Sequence, residues 1–113
     1  MSNRLLSLSK NEDFKSLVSG KKISNKYLTI FFKTLSGKSN KYLNISFVAQ
    51  KKLGNAIKRN KIKRRLKNIM RQVLKTNNIN LNYSYLIIAK KNMIDANFID
   101  IKETILKDYK KIK

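Results

Sequence analysis

The sequence predicts an α+β fold: a two-layer sandwich of helices on one mainly antiparallel sheet, in the order α-β-β-α-β-α. Three observations predict it. Residues 26–34 and 42–50 alternate between apolar and polar with the two-residue period of a strand. Residues 57–75 switch to a helical period and carry one apolar stripe. A third strand-like run, 83–89, is followed by a second amphipathic stretch ending near Ile112. A chain of 113 residues with no repeat and no Pro-rich linker suits one domain over 1–113.

Taken in order, Ser9-Lys10-Asn11-Glu12 reads as a capping box, with Ser9 as N-cap and Glu12 reaching back. Phe14, Leu17 and Val18 then share a helical face, and Gly20 supplies a stop. A short extra strand near Lys21–Ser24 is compatible with this start. In the next strand Leu28, Ile30 and Phe32 point one way, Tyr27, Thr29, Phe31 and Lys33 the other. Ser36-Gly37-Lys38-Ser39-Asn40 is turn chemistry. The second strand puts Leu43, Ile45, Phe47 and Ala49 on one face, and the short connection predicts an antiparallel hairpin with the first. Gly54 ends it. Ile62, Leu66, Ile69, Met70 and Val73 then form the core stripe of a helix, with Lys61, Arg64, Lys67, Asn68, Arg71 and Lys75 opposite. Asn77, Asn78 and Asn80 mark a loop before the strand at 83–89. Asp95 to Asn97 restart a helix whose apolar face is Phe98, Ile101, Ile105, Tyr109 and Ile112.

Charge decides the class of partner. The formal charge is +21, and all six acids lie outside residues 14–94, a stretch that holds 20 of the 27 Lys and Arg residues. An AT-rich genome explains why Lys outnumbers Arg, but not the missing acids, whose codons it also favours. A field this uncompensated opposes compaction unless a polyanion offsets it. Nucleic acid is the natural partner. The last helix holds four of the six acids, so it is expected to face away from that partner. Without cysteine there is no disulfide and no thiolate metal site, which fits a reducing compartment. The sequence shows no signal peptide and no run near the roughly 20 apolar residues of a membrane span. A cytoplasmic protein is expected.

The most informative run is Lys51-Lys52-Leu53-Gly54-Asn55-Ala56-Ile57-Lys58-Arg59-Asn60-Lys61-Ile62-Lys63-Arg64-Arg65-Leu66-Lys67. An ordinary solvated helix face mixes Glu with Lys, because i,i+4 ion pairs support it. This helix has no acid, and its like charges destabilise it unless phosphates intervene. Gly54-Asn55 has two readings: a turn that needs unusual backbone, or amides aimed at a phosphate. Tyr27 and Phe31 also have two. With Phe14 they line an aromatic cleft on which single-stranded RNA bases stack, or they are core beneath a second helical layer. No catalytic cluster is visible: there is no His or Cys, and Glu12 and Asp13 do not converge as a two-metal nuclease site requires.

Asn11-Glu12-Asp13-Phe14, the aromatic strand, and Lys51-Lys52-Leu53-Gly54-Asn55-Ala56-Ile57 with Arg59-Asn60 and Lys63-Arg64 resemble the bacterial ribonuclease P protein component. The likeness spans nearly the whole chain, and the Gly-Asn-Ala to Lys-Arg segment is its specific part. The resemblance implies that family's α/β sandwich, with a left-handed β-α-β crossover through the basic helix where the general rule gives a right-handed one. It implies that an RNA subunit is the catalyst and holds the magnesium, with no organic cofactor. The protein then binds that RNA and the 5′ leader of precursor tRNA, and endonucleolytic hydrolysis yields mature tRNA 5′ ends. The implied contacts to the RNA subunit are Lys52, Asn55, Arg59, Asn60, Lys61, Lys63, Arg64 and Lys67, with Arg71 a turn further on. The implied leader cleft comprises Phe14, Val18, Phe31 and Lys51, to which the strand reading adds Tyr27. No membrane and no obligate protein partner is implied.

The chain departs from the family pattern at four positions. Lys61 and Lys67 stand where Arg is common, keeping charge without the bidentate fork. Val18 stands where an aromatic is frequent, and Arg65 where an aliphatic is usual. The alternative from charge alone is a ribosomal or other structural rRNA-binding protein with no linked reaction and no need of a leader cleft. A nucleoid protein with its basic helix in a DNA groove is a third.

Overall fold

A computed structural model describes residues 5–7, 17–34, 43–76 and 81–112. It contains β1 (Leu5–Ser7), β2 (Lys21–Ser24), β3 (Leu28–Thr34), β4 (Leu43–Val48), helix α1 (Ala56–Thr76), β5 (Tyr83–Ala89) and helix α2 (Phe98–Lys110). Single 3-10 turns at Lys51–Leu53 and Lys91–Met93 join β4 to α1 and β5 to α2. No described helix is long and apolar enough to cross a membrane.

The strands form one sheet in the order β1-β4-β5-β3-β2. The expected hairpin between the strands at 26–34 and 42–50 is not formed. β5 lies between them, antiparallel to β3 and parallel to β4. The physical reason is burial. Tyr85, Leu86 and Ile87 are all buried, so β5 belongs in the centre, covered on both faces. β3 pairs instead with β2, the short extra strand, as an antiparallel neighbour. β1 was not foreseen; it runs parallel to β4 with Leu5 opposite Leu43. Two pairings are antiparallel and two parallel, and the parallel β4–β5 pair makes α1 a crossover helix.

α1 and α2 cover one face. Ile62, Leu66, Ile69, Met70, Val73 and Leu74 from α1 meet Ile101, Ile105 and Tyr109 from α2 over Leu28, Ile30, Leu43, Ile45, Tyr85 and Ile87 of the sheet. The opposite face has a smaller cluster: Leu17 covers Leu86, with Phe31, Val48 and Ile88 packed around them. Leu17 and Val18 are helical and the turn closes where the Gly20 amide donates to the Leu17 carbonyl. A Cβ at Gly20 would stand 3.0 Å from the Phe32 carbonyl, so the turn lies too close to β3 for a side chain. The capping box at Ser9–Glu12 and the cleft residue Phe14 lie outside the described residues.

Two side-chain links tie the layers. Asn25 Oδ1 accepts from the amides of Tyr27 and Leu28, while its Nδ2 donates to the buried Asp108 carboxylate at 2.6 Å. Lys90 Nζ donates to Ser24 Oγ and the Asn25 carbonyl, both at 2.6 Å. Together they fix the β2–β3 turn against α2 and the end of β5.

Candidate nucleic-acid interface

α1 starts where the chain leaves β4. Gly54 has φ +139°, and a Cβ there would stand 2.9 Å from Lys58 Cδ and 3.2 Å from Lys58 Cβ. Only glycine takes this backbone without strain. Asn55 caps the helix: its Oδ1 accepts the Lys58 amide at 3.0 Å. The turn reading of Gly54-Asn55 is therefore realised, and Asn55 has only its amide N–H groups left to offer a ligand. No acid stands in the first turn, so the positive helix end is unopposed.

Along the helix the cations divide into groups. Asn60, Lys63, Arg64, Lys67 and Arg71 fall at i, i+3, i+4, i+7 and i+11, one stripe on the α1 surface. The stripe faces Ile45, Ser46, Phe47, Val48 and Ala49, and the two sides enclose a groove of about 810 Å³. Its walls hold four cations and no acid. Lys52, Asn55 and Lys61 are exposed but do not line the groove. Arg59 is half-buried, and its Nε is sealed from solvent with no hydrogen-bond partner among the described residues.

On the other flank of α1, Arg65 Nη1 donates to the Met93 carbonyl at 3.3 Å and Gln72 accepts from Lys102 of α2. Arg65 thus takes an aliphatic's place by bonding across to the 3-10 turn. The same contacts hold α2, with exposed Asp95, Asp100 and Glu103 nearby, on the side of α1 away from the groove. Those three acids therefore lie off the cationic groove.

The expected cleft residues separate. Phe31 is half-buried on the face with Leu17, Val48, Leu86 and Ile88. Val18, at 53% exposure, follows Leu17 in the chain, and Lys51 opens the 3-10 turn three residues after Val48. Tyr27 does not join them. It is 7% exposed and packs in the main core, with Lys26 Nζ 5.0 Å from its ring centre. The reason is local. Residues 26 and 27 form the Asn25-capped bend before β3 begins, so the strand alternation does not reach Tyr27. Sequence reasoning also missed Val48 and Ile88 on this face, although the alternation of β5 (Leu86, Ile88) contained that signal.

The glycine-turned basic helix, its groove on β4 and the half-open apolar face around Phe31 can be set beside known proteins. The ribonuclease P family profile matches residues 2–113. The chain belongs to that family. It is 35% identical over 111 residues to the ribonuclease P protein component of Fusobacterium nucleatum, covering 94% of this chain and 96% of that one. It is 36% identical over 104 residues to that of Clostridioides difficile, covering 91% and 88%. Its fold superposes on the RNase P protein of Thermotoga maritima with a TM-score of 0.79 at 26% identity, over 96% of this chain and 98% of that one. The Staphylococcus aureus RNase P protein gives 0.70, also at 26%, over 94% and 93%. A ribonuclease P protein works with the ribonuclease P RNA, which carries the chemistry of tRNA 5′-end maturation. The family assignment sets aside the ribosomal and nucleoid readings.

Proposed function

We propose that this protein holds two RNAs at once: the ribonuclease P RNA along the α1–β4 groove, and the 5′ leader of precursor tRNA across the Phe31 face. The observation that carries the proposal is the groove, with Lys63, Arg64, Lys67 and Arg71 on one wall and no acid among its lining residues. A phosphate backbone neutralises such a stripe and releases its counterions, which supplies sequence-independent affinity. The Phe31 face suits unpaired nucleotides, since an aromatic ring in an apolar setting stacks any base. The cations lower the repulsion between the two RNAs, and the face positions the leader so that the scissile bond meets the catalytic RNA.

The hydrolysis uses magnesium held by the RNA subunit. This chain's part is to bind and orient. The side chains of the groove are donors, not acceptors, apart from Asn60 and Ser46. Among the described residues no three acids, histidines or cysteines stand together as metal ligands. Lys51, Val18 and Phe14 complete the leader site in this reading, and Lys52, Asn55, Arg59 and Lys61 extend the RNA-subunit surface beyond the groove. The site of action is the cytoplasm, where precursor tRNA is processed.

The test is cleavage of a precursor tRNA at low magnesium by a bacterial ribonuclease P RNA, with and without this protein. Stimulated cleavage at the mature 5′ end, absent with protein alone, is the expected result. No stimulation with a well-matched RNA would overturn the reading.

A further inference from the structure

The register of the sheet places an unassigned cation, Lys22, in the cross-strand row of Phe31, while Lys33 follows two residues along β3 on the same face. Ser46, Leu86, Phe31 and Lys22 stand opposite one another in successive strands, so they form one row across β4, β5, β3 and β2. Directly opposed residues of neighbouring strands project to the same face, with Cβ atoms about 5 Å apart. Along this row Leu86 is buried under Leu17, Phe31 is half-open and Lys22 is exposed. Among the described residues Lys22 has no acidic partner. Its neighbour Lys21, equally exposed, stands opposite Phe32 and so belongs to the other face of the sheet.

We infer that β2 is one wall of the leader site and that Lys22 binds the leader phosphate next to the base stacked on Phe31. This rests on the Phe31 face being the leader site. A base lying on the ring has its own phosphate one side-chain length to the side, where a lysine on the adjacent strand reaches it. Lys22 then acts as a point charge on the backbone and adds affinity without base preference. β2 is an edge strand with one neighbour, so its exposed side leaves room for an extended strand of RNA to leave the sheet. The Asn25 and Lys90 hydrogen bonds hold the β2–β3 turn, which keeps the Lys22–Phe31 pairing in register.

Two lysines of equal charge on opposite faces make the experiment sharp. Holoenzyme reconstituted with wild-type, Lys22→Gln, Lys21→Gln or Phe31→Ala protein is titrated with precursor tRNA and with mature tRNA across a salt series. The ratio of the two affinities isolates the leader. Circular dichroism confirms that each variant is folded. Lys22→Gln is expected to weaken the leader-dependent ratio about tenfold, the lower end of the scale of one charge-assisted hydrogen bond. It should also lower the salt slope for precursor by about 0.7, one single-strand phosphate. Lys21→Gln should change neither, and Phe31→Ala should weaken the ratio with the slope unchanged. Equal behaviour of Lys22→Gln and Lys21→Gln, with Phe31→Ala still impaired, would overturn the role of Lys22 and leave the leader face standing. A normal ratio for Phe31→Ala would overturn the leader face, and the Lys22–Phe31 pairing with it.

Discussion

Tyr109 shows how one side chain can work against the fold that holds it. It is the last ring of a series in which Phe32, Tyr83, Tyr85 and Tyr109 meet edge to face, with centroids 5.5, 6.3 and 5.2 Å apart. Its hydroxyl is buried with no hydrogen-bond partner among the described residues. Burial, and then the neighbouring Tyr85, push its pKa well above the usual value; burial, then Tyr83, does the same to Tyr85. A phenol with a raised folded pKa binds its proton more tightly in the native state. Its contribution is therefore complete below the unfolded value of about 10 and is lost as pH rises from there through the folded values. Tyr109→Phe keeps the ring packing and removes the orphan hydroxyl. It is expected to raise stability by about 1 kcal/mol in urea unfolding at neutral pH. It should also lessen the loss of stability above about pH 10. A destabilised variant would mean that the hydroxyl has a partner after all.

Among the elements, α1 carries two loyalties. One flank belongs to the fold through the core stripe, Arg65 and Gln72; the other lines the acid-free groove with Asn60, Lys63, Arg64, Lys67 and Arg71. Charge reversal should separate them by position. Lys67→Glu, in the groove, is expected to weaken RNA-subunit affinity by more than about tenfold, since it removes one phosphate contact and repels its neighbours. Lys61→Glu, outside it, should cost several-fold less when both are measured by filter binding at one salt concentration. Equal losses would show that only the overall charge matters. The β2–β3 turn depends on a different contact. Asp108 is 4% exposed and accepts from Asn25, which in turn holds two backbone amides. Asn25→Ala leaves the buried carboxylate with only the 4.0 Å contact to Lys111 and those amides without their partner. A loss of about 3 kcal/mol is expected in chemical denaturation, and a loss below half of that would show the turn holds without it.

At the scale of the molecule, the formal charge is +21, and an ion pair among the described residues, Lys111–Asp108 at 4.0 Å, offsets little of it. Self-repulsion of this size is relieved by bound anions and by salt. Circular dichroism at low ionic strength, with and without sulfate, should show a gain of ordered structure and a higher melting temperature with the anion. Identical spectra and melting curves would mean that packing alone carries the charge. The same field makes RNA affinity strongly salt-dependent. A log–log slope near zero would contradict the phosphate-bound groove, because each neutralised phosphate adds about 0.7 to 0.9.

Hydrophobic periodicity and charge distribution by themselves determine much of this protein. The α1 stripe, the Asn97-capped α2, the strand at 83–89 and the glycine turn at Gly54 all stand where local chemistry places them. So does the choice of a polyanion as partner, because the acid-free stretch is visible in the order of residues alone. Strand order was not legible. A short connection between 34 and 43 is the local sign of a hairpin, yet β5 takes the place between those strands, since only the centre of the sheet buries both of its faces. The division of the basic residues between groove and open surface, the burial of Tyr27, the Asn25–Asp108 link and the placement of Lys22 beside Phe31 followed from that order. They join residues far apart in the chain. Pattern within a segment fixes which side of an element is apolar, but only packing decides what lies across from it.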